Sequence, residues 1–164
     1  MRYLLAAALI LAPSAAPAMQ TQPRTAKQVQ AIKDIWKPAA TPKGGTPRSL
    51  LETTRETQRN DNGIIYSKPV FTPQVQALRG KQIKVSGWMM PLNTSAKQTR
   101  FVLLAYPPGC PFHFHAMPNQ FIEVLAPAGV ALNERDPMTI TGTLQLTGQD
   151  ESGIFYRMVG ATKV

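Results

Sequence analysis

The chain has 164 residues, a net charge of +9 from 18 Lys and Arg against 9 Asp and Glu, and a hydrophobic share of 43%. That length fits one domain plus an N-terminal extension. The basic residues are scattered, with no Lys/Arg run, so the clustered electrostatic footprint of a nucleic-acid-binding protein is missing and no such partner is expected.

Residues 1–18 read as a secretory signal peptide. Arg2 is the positive n-region, Leu4 to Leu11 is an apolar h-region too short to anchor in a bilayer, and Ala16-Pro17-Ala18 is a small-residue cleavage site before Met19. No Cys stands at the cut, so no lipid attachment is expected there. No later stretch is apolar for long enough to span a membrane. The expected mature product is exported, periplasmic and without a membrane span.

Residues 19–68 read as an N-terminal extension, short-helical or irregular, that wraps over the core or stays partly mobile. Thr25 is placed to cap a helix carrying Val29, Ile32 and Trp36 on one face. Pro38, Pro42, Gly44, Gly45 and Pro47 then break regular structure. Ser49 to Arg59 is a second helical candidate, anchored by Leu50 and Leu51, and Asn60-Asp61-Asn62-Gly63 ends it in a turn.

Residues 69–164 change character and read as a β domain. Val75 to Leu78 suits one helical turn before Gly80. Five strand-like runs follow: Lys81 to Met89, Thr99 to Tyr106, Asn119 to Leu125, Met138 to Leu146 and Phe155 to Val164. Ile83, Val85 and Gly87 share one face of the first run, and Ile140, Gly142, Leu144 and Leu146 share one face of the fourth. Short strands between Gly, Pro and Asn turns indicate a mostly β fold. Five of them, with glycine inside the first and fourth where a barrel corner bends, suit a small five-stranded, OB-like barrel.

The sole cysteine and both histidines fall within six residues, Cys110-Pro111-Phe112-His113-Phe114-His115, and Met117 follows two residues on. The loop that carries them joins the second and third expected strands, between Tyr106-Pro107-Pro108-Gly109 and Pro118-Asn119-Gln120. Prolines restrict such a loop to few conformations. Cys thiolate and His nitrogen are zinc ligands, and softer sulfur ligands also suit copper. The spacing predicts a zinc or copper ion bound by Cys110, His113 and His115, with Met117 as a further ligand. Met89, Met90 and Glu123 are additional candidates, the two methionines fitting core packing better than ligation. A structural zinc wants four ligands, so an incomplete set points to handling or delivery of the ion rather than permanent structure or catalysis.

Other readings of the cluster are narrower. A blue-copper centre needs a histidine far upstream, and this chain has none. A thioredoxin-type motif needs a second cysteine. A Cys110 nucleophile with His113 as base, in a one-Cys thiol enzyme, has no identifiable orienting Asp or Asn. A non-enzymatic interaction module, in which the loop is a structural cap, is the main alternative.

Several ordered pieces carry a family resemblance over Pro69 to Met158: Leu78-Arg79-Gly80-Lys81, Val85-Ser86-Gly87-Trp88-Met89-Met90-Pro91-Leu92, Phe101-Val102-Leu103-Leu104, Gly109-Cys110, Pro118-Asn119-Gln120, Ile140-Thr141-Gly142-Thr143-Leu144 and Tyr156-Arg157-Met158. Together they resemble an uncharacterised bacterial family of exported, periplasmic or lipoprotein-type domains of unknown function. The resemblance implies a link to transition-metal handling. The partner it implies is a membrane ABC-type transporter component or a metal-recipient protein. In that family a His follows the Cys two positions later. Here Phe112 stands at that position and the histidines come at 113 and 115, whereas Cys110 and Asn119 keep the family spacing.

Overall fold

The computed structural model describes residues 25–27, 37–108 and 116–164. The expected signal peptide lies outside them, as do Val29, Ile32 and Trp36 of the first expected helix. In chain order the elements are α1 (Arg48–Leu51), β1 (Arg55–Asp61), β2 (Ile64–Val70), α2 (Pro73–Gln76), β3 (Gln82–Pro91), β4 (Lys97–Leu104), a 3-10 turn (Pro118–Gln120), β5 (Phe121–Ala131), β6 (Met138–Leu146) and β7 (Tyr156–Lys163).

Strands β3 to β7 close into a barrel in the order β3-β4-β5-β7-β6. Every pairing is antiparallel except β5 with β7. This is the small five-stranded barrel expected from the sequence. Alternation fills it: Ile83, Val85, Met89, Phe101, Leu103, Ile122, Val124, Ile140, Leu144 and Met158 are all buried in one apolar cluster. Each sits on its strand with the two-residue period that sends alternate side chains to one face.

The strand bounds sit within a few residues of expectation, with β5 running on to Ala131 through Pro127-Ala128-Gly129. There the ladder with β4 shifts register between Gln98 and Arg100, and Gly129 adopts φ +70°.

The second expected helix is wrong beyond its first turn. Only Arg48–Leu51 is helical, and from Arg55 the chain is extended. Leu50 and Leu51 are the only apolar residues there, too few for a helical stripe. The turn after it does not end a helix but joins two strands in register, Asp61 opposite Ile64. Asn62 (φ 51°) and Gly63 (φ 85°) both take left-handed conformations, as a two-residue type I′ hairpin demands, and Asn-Gly is its commonest sequence. Ser67 of β2 bridges to Ser152 in the loop before β7, and Glu151 of that loop pairs with Arg59 and Lys68.

Strand β3 changes neighbour along its length. Gln82 to Gly87 pair with β6, and Trp88 to Pro91 pair with β4. The edge left open over the first half is sealed by the segment ahead of α1. Thr46 N–H donates to the Lys84 carbonyl at 2.7 Å. The buried Arg48 guanidinium donates from Nε to the Ser86 carbonyl at 2.7 Å and from Nη2 to the Leu103 and Leu104 carbonyls at 3.2 and 3.5 Å. Burial pushes Arg48 down to about 9, partly offset by the charge of Glu52, which leaves it protonated at neutral pH. Gly87 makes room for this plug, since a Cβ there would collide with the Arg48 guanidinium and the Leu104 carbonyl.

On the outside of the barrel Glu123 is only 3% exposed. Arg100 Nε donates to its Oε1 at 2.8 Å, with Nη2 ion-paired to the same oxygen at 2.6 Å, and Arg157 Nε donates to Oε2 at 2.5 Å. Burial pushes the Glu123 carboxyl up, but the hydrogen bonds and charges of Arg157 and Arg100 together outweigh it and hold the carboxyl below its ordinary range.

Two consequences are testable. Gly87→Ala must displace either the Arg48 plug or the β3–β4 seam, and overpacking of this kind lowers stability by about 1–3 kcal/mol. The urea midpoint should fall with the slope unchanged, and a midpoint equal to wild type would mean that Arg48 does not fill the seam. For Glu123, a carboxyl held low in the folded state stabilises above its unfolded value of about 4.3. That contribution disappears as pH falls through the folded value. Glu123→Gln should melt below wild type at neutral pH, by about 1–3 kcal/mol, and the gap should narrow as pH drops below about 4. A gap that stays constant across this range would rule out an ionised Glu123 as its source.

Candidate functional site

The loop singled out by the sequence leaves the barrel at the end of β4 and returns to it at the start of β5. Its two ends meet: Ala105 N–H donates to the Gln120 carbonyl at 2.8 Å. Cys110, His113 and His115 lie outside the described residues, so the structure describes the neck of this loop and the floor beneath it.

On the returning side, Pro118 opens the 3-10 turn, where its missing N–H is no loss. Gln120 closes a box with Met117: its N–H donates to the Met117 carbonyl at 2.8 Å, and its Oε1 accepts from the Met117 N–H at 3.1 Å. Met117 stands at the rim, 48% exposed. Asn119 points the other way. Its Nδ2 donates to the carbonyls of Glu52 at 3.1 Å and Thr54 at 2.9 Å.

On the departing side, Ala39 N–H donates to the Ala105 carbonyl at 2.8 Å. The Tyr106 hydroxyl donates to Oε2 of Glu52 at 3.2 Å. Burial and the neighbouring Glu52 charge both push the Tyr106 phenol above its ordinary value.

The floor is the stretch just after α1. The buried Tyr156 hydroxyl, from the start of β7, meets the Leu51 carbonyl and Thr54 Oγ1, both at 2.6 Å. With its one proton it donates to the carbonyl and accepts from the threonine. Burial pushes this phenol up to about 12, against a smaller lowering by Thr54. Two acceptors of the neck remain over: Glu52 Oε1 and Asn119 Oδ1 are buried without a hydrogen-bond partner among the described residues. Buried polar atoms in native folds are nearly always satisfied, so such a pair marks where a donor or cation would be welcome.

Of the residues proposed from sequence, Met117 is at the neck and Met89 is in the barrel core, 1% exposed. Met90 is half-buried on the outer side of β3, and Glu123 is on the outer wall with both oxygens taken by arginines. Among the described residues no three Cys, His, Asp or Glu side chains gather to hold an ion. Sequence reasoning missed Glu52 and Tyr106. Glu52 was hidden in a stretch read as helix, and its partner lies 54 residues away, beyond any local pattern. Tyr106 was legible only as the residue before Pro107.

Among the described residues no helix is long and apolar enough to cross a membrane. A search of curated proteins finds no match. Among solved structures, the crystal structure of a DUF3299 family protein from Pseudomonas aeruginosa PAO1 is similar over 93% of this chain and 89% of that one, with 21% identity and a TM-score of 0.45. The family model described as "Protein of unknown function (DUF3299)" matches residues 12–160. With nearly its whole length matched, the chain belongs to the DUF3299 family.

Proposed function

We propose that this protein binds a zinc or copper ion through Cys110, His113 and His115, with Met117 at the rim, and handles or delivers that ion in the periplasm. The observation that carries the reading is the concentration of the chain's only cysteine and only histidines in one loop, whose two ends are joined by a backbone hydrogen bond. A first-row ion needs its ligands within about 2.0–2.3 Å.

The floor supports the same reading. Glu52 places a carboxylate at the loop's neck, with one oxygen buried and unsatisfied. A cation beside it would answer that oxygen. Glu123, by contrast, could reach an ion only by giving up one of its arginines. Three ligands and an open position suit an ion that is taken up and passed on. The receiving partner in this reading is an ABC-type transporter component of the envelope, or another metal-recipient protein.

A second reading draws on the neck itself. Its bonds to Ala39, Glu52 and Thr54 need no ion, which favours a structural cap presented by a non-enzymatic interaction module.

Metal content separates the two. After reconstitution under reducing conditions, mass spectrometry should find about one equivalent of zinc or copper per chain, set by a single set of Cys and His ligands. Cys110→Ser, and His113→Ala with His115→Ala, should each abolish stoichiometric binding while leaving the melting temperature of the apo protein in place. Wild-type protein that retains neither metal above background would leave only the interaction module. Export is checked separately: the product recovered from the periplasmic fraction should begin at Met19, and an uncut chain retained in the cytoplasm would remove the periplasmic part of the reading.

A further inference from the structure

The outer wall of β4, β5 and β7 carries charge that neither the barrel's closure nor the Cys/His loop requires. Phe101, Leu103, Ile122, Val124 and Met158 turn inward, so Arg100, Val102, Glu123, Leu125 and Arg157 turn outward. The registers set Val102 beside Glu123 and Glu123 beside Arg157. Replacing a buried carboxylate and its arginines by apolar residues is often neutral or stabilising, so such a group is weak support for a fold. What it does provide is orientation. Glu123 holds Arg100 by Nε and Nη2 and Arg157 by Nε. Both terminal nitrogens of Arg157, and Nη1 of Arg100, are left without a partner among the described residues. The two side chains are 59% and 36% exposed.

Lys97 adds a third cation on the same strand as Arg100. It is exposed and its side chain lies over Gly129. Asp150, in the loop before β7, is the other acid that acts on Arg157. Three cations thus face two acids, a small positive surplus. In OB-type barrels the outer face of the second and third barrel strands, here β4 and β5, is the surface that takes up oligosaccharides or oligonucleotides. A nucleic-acid backbone presents a phosphate at every residue and needs a continuous basic track. A surplus this small, with a carboxylate at its centre, fits sparser charge.

We propose that this face binds an acidic oligosaccharide, its carboxylates received by the free fork of Arg157, by Nη1 of Arg100 and by Lys97. Guanidinium and carboxylate are both planar and pair through two parallel N–H···O bonds, a match that lysine cannot reproduce.

Isothermal titration calorimetry on the full chain at low salt tests this with trigalacturonate, neutral maltotriose and a short oligothymidylate. Trigalacturonate should bind, weaken with added salt, and bind more tightly than either of the others. Arg157→Lys keeps the charge and loses the fork, and Lys97→Ala leaves the Glu123 group intact. Each should weaken trigalacturonate by about fivefold or more, and Lys97→Ala should do so with the melting temperature held. Four outcomes would overturn the proposal: no heat with trigalacturonate, equal binding of maltotriose, tighter binding of the oligothymidylate, or affinity unchanged in both variants.

Discussion

The Arg48 guanidinium in the seam between β3 and β4 is the contact on which the rest of the structure depends. A closed five-stranded barrel requires its first strand to trade one neighbour for another partway along. Over that stretch the carbonyls of Lys84 and Ser86 face no strand. Buried backbone groups without partners are strongly disfavoured. Thr46 answers one of them and Arg48 answers the other, reaching Leu103 and Leu104 on the facing strand as well. A guanidinium suits this place because its five donors form a rigid fork. A lysine would bring a single ammonium on a flexible stem. The absent side chain at Gly87 is the other half of the same contact.

Once Arg48 is fixed, the geometry downstream follows. The helical turn α1 buries Leu51 in the core and delivers Glu52 and Thr54 to the end of the barrel. Tyr156 grips the Leu51 carbonyl and Thr54 from inside. Asn119 and Tyr106 then fasten the two stems of the Cys/His loop to Glu52 and Thr54. The loop therefore hangs from a floor built of residues more than fifty positions away in the chain. That floor is tied to the barrel at both β3 and β7. Any ligand set offered by the loop would inherit its position from this chain of contacts rather than from the loop's own prolines alone.

The barrel was legible because alternation is a local signal. Ile83 and Val85, Phe101 and Leu103, and Ile140 and Leu144 each announce a buried face within a few residues, and β6 falls at the expected bounds. The hairpin β1–β2 was not read from its composition. Its first strand, Arg55 to Asp61, has no apolar residue, so nothing alternates. Asn62-Gly63 is the available signal, and in sequence it suits the end of a helix as well as a hairpin. The Cys/His cluster was visible as composition alone. Its neck was partly visible, through Met117, Pro118 and Asn119. Glu52 and Arg48 were invisible because their roles are set by carbonyl, hydroxyl and amide partners between 38 and 67 residues away, a separation that only the closed barrel removes.

Two carboxylates on this fold show how the same group acquires opposite roles. Glu123 is held by two arginines, one on each oxygen. It can orient the guanidiniums around it but has nothing further to offer a ligand. Among the described residues Glu52 receives a single phenolic donor on one oxygen, and the other is buried without a donor. Leaving a buried acceptor unmade works against stability by about 1–3 kcal/mol, so the fold alone gives no reason to keep it that way. The unsatisfied acid lies at the neck of the loop that holds every cysteine and histidine of the chain. Glu123, which sequence composition also offers as a ligand, stands on the outer wall between Arg100 and Arg157.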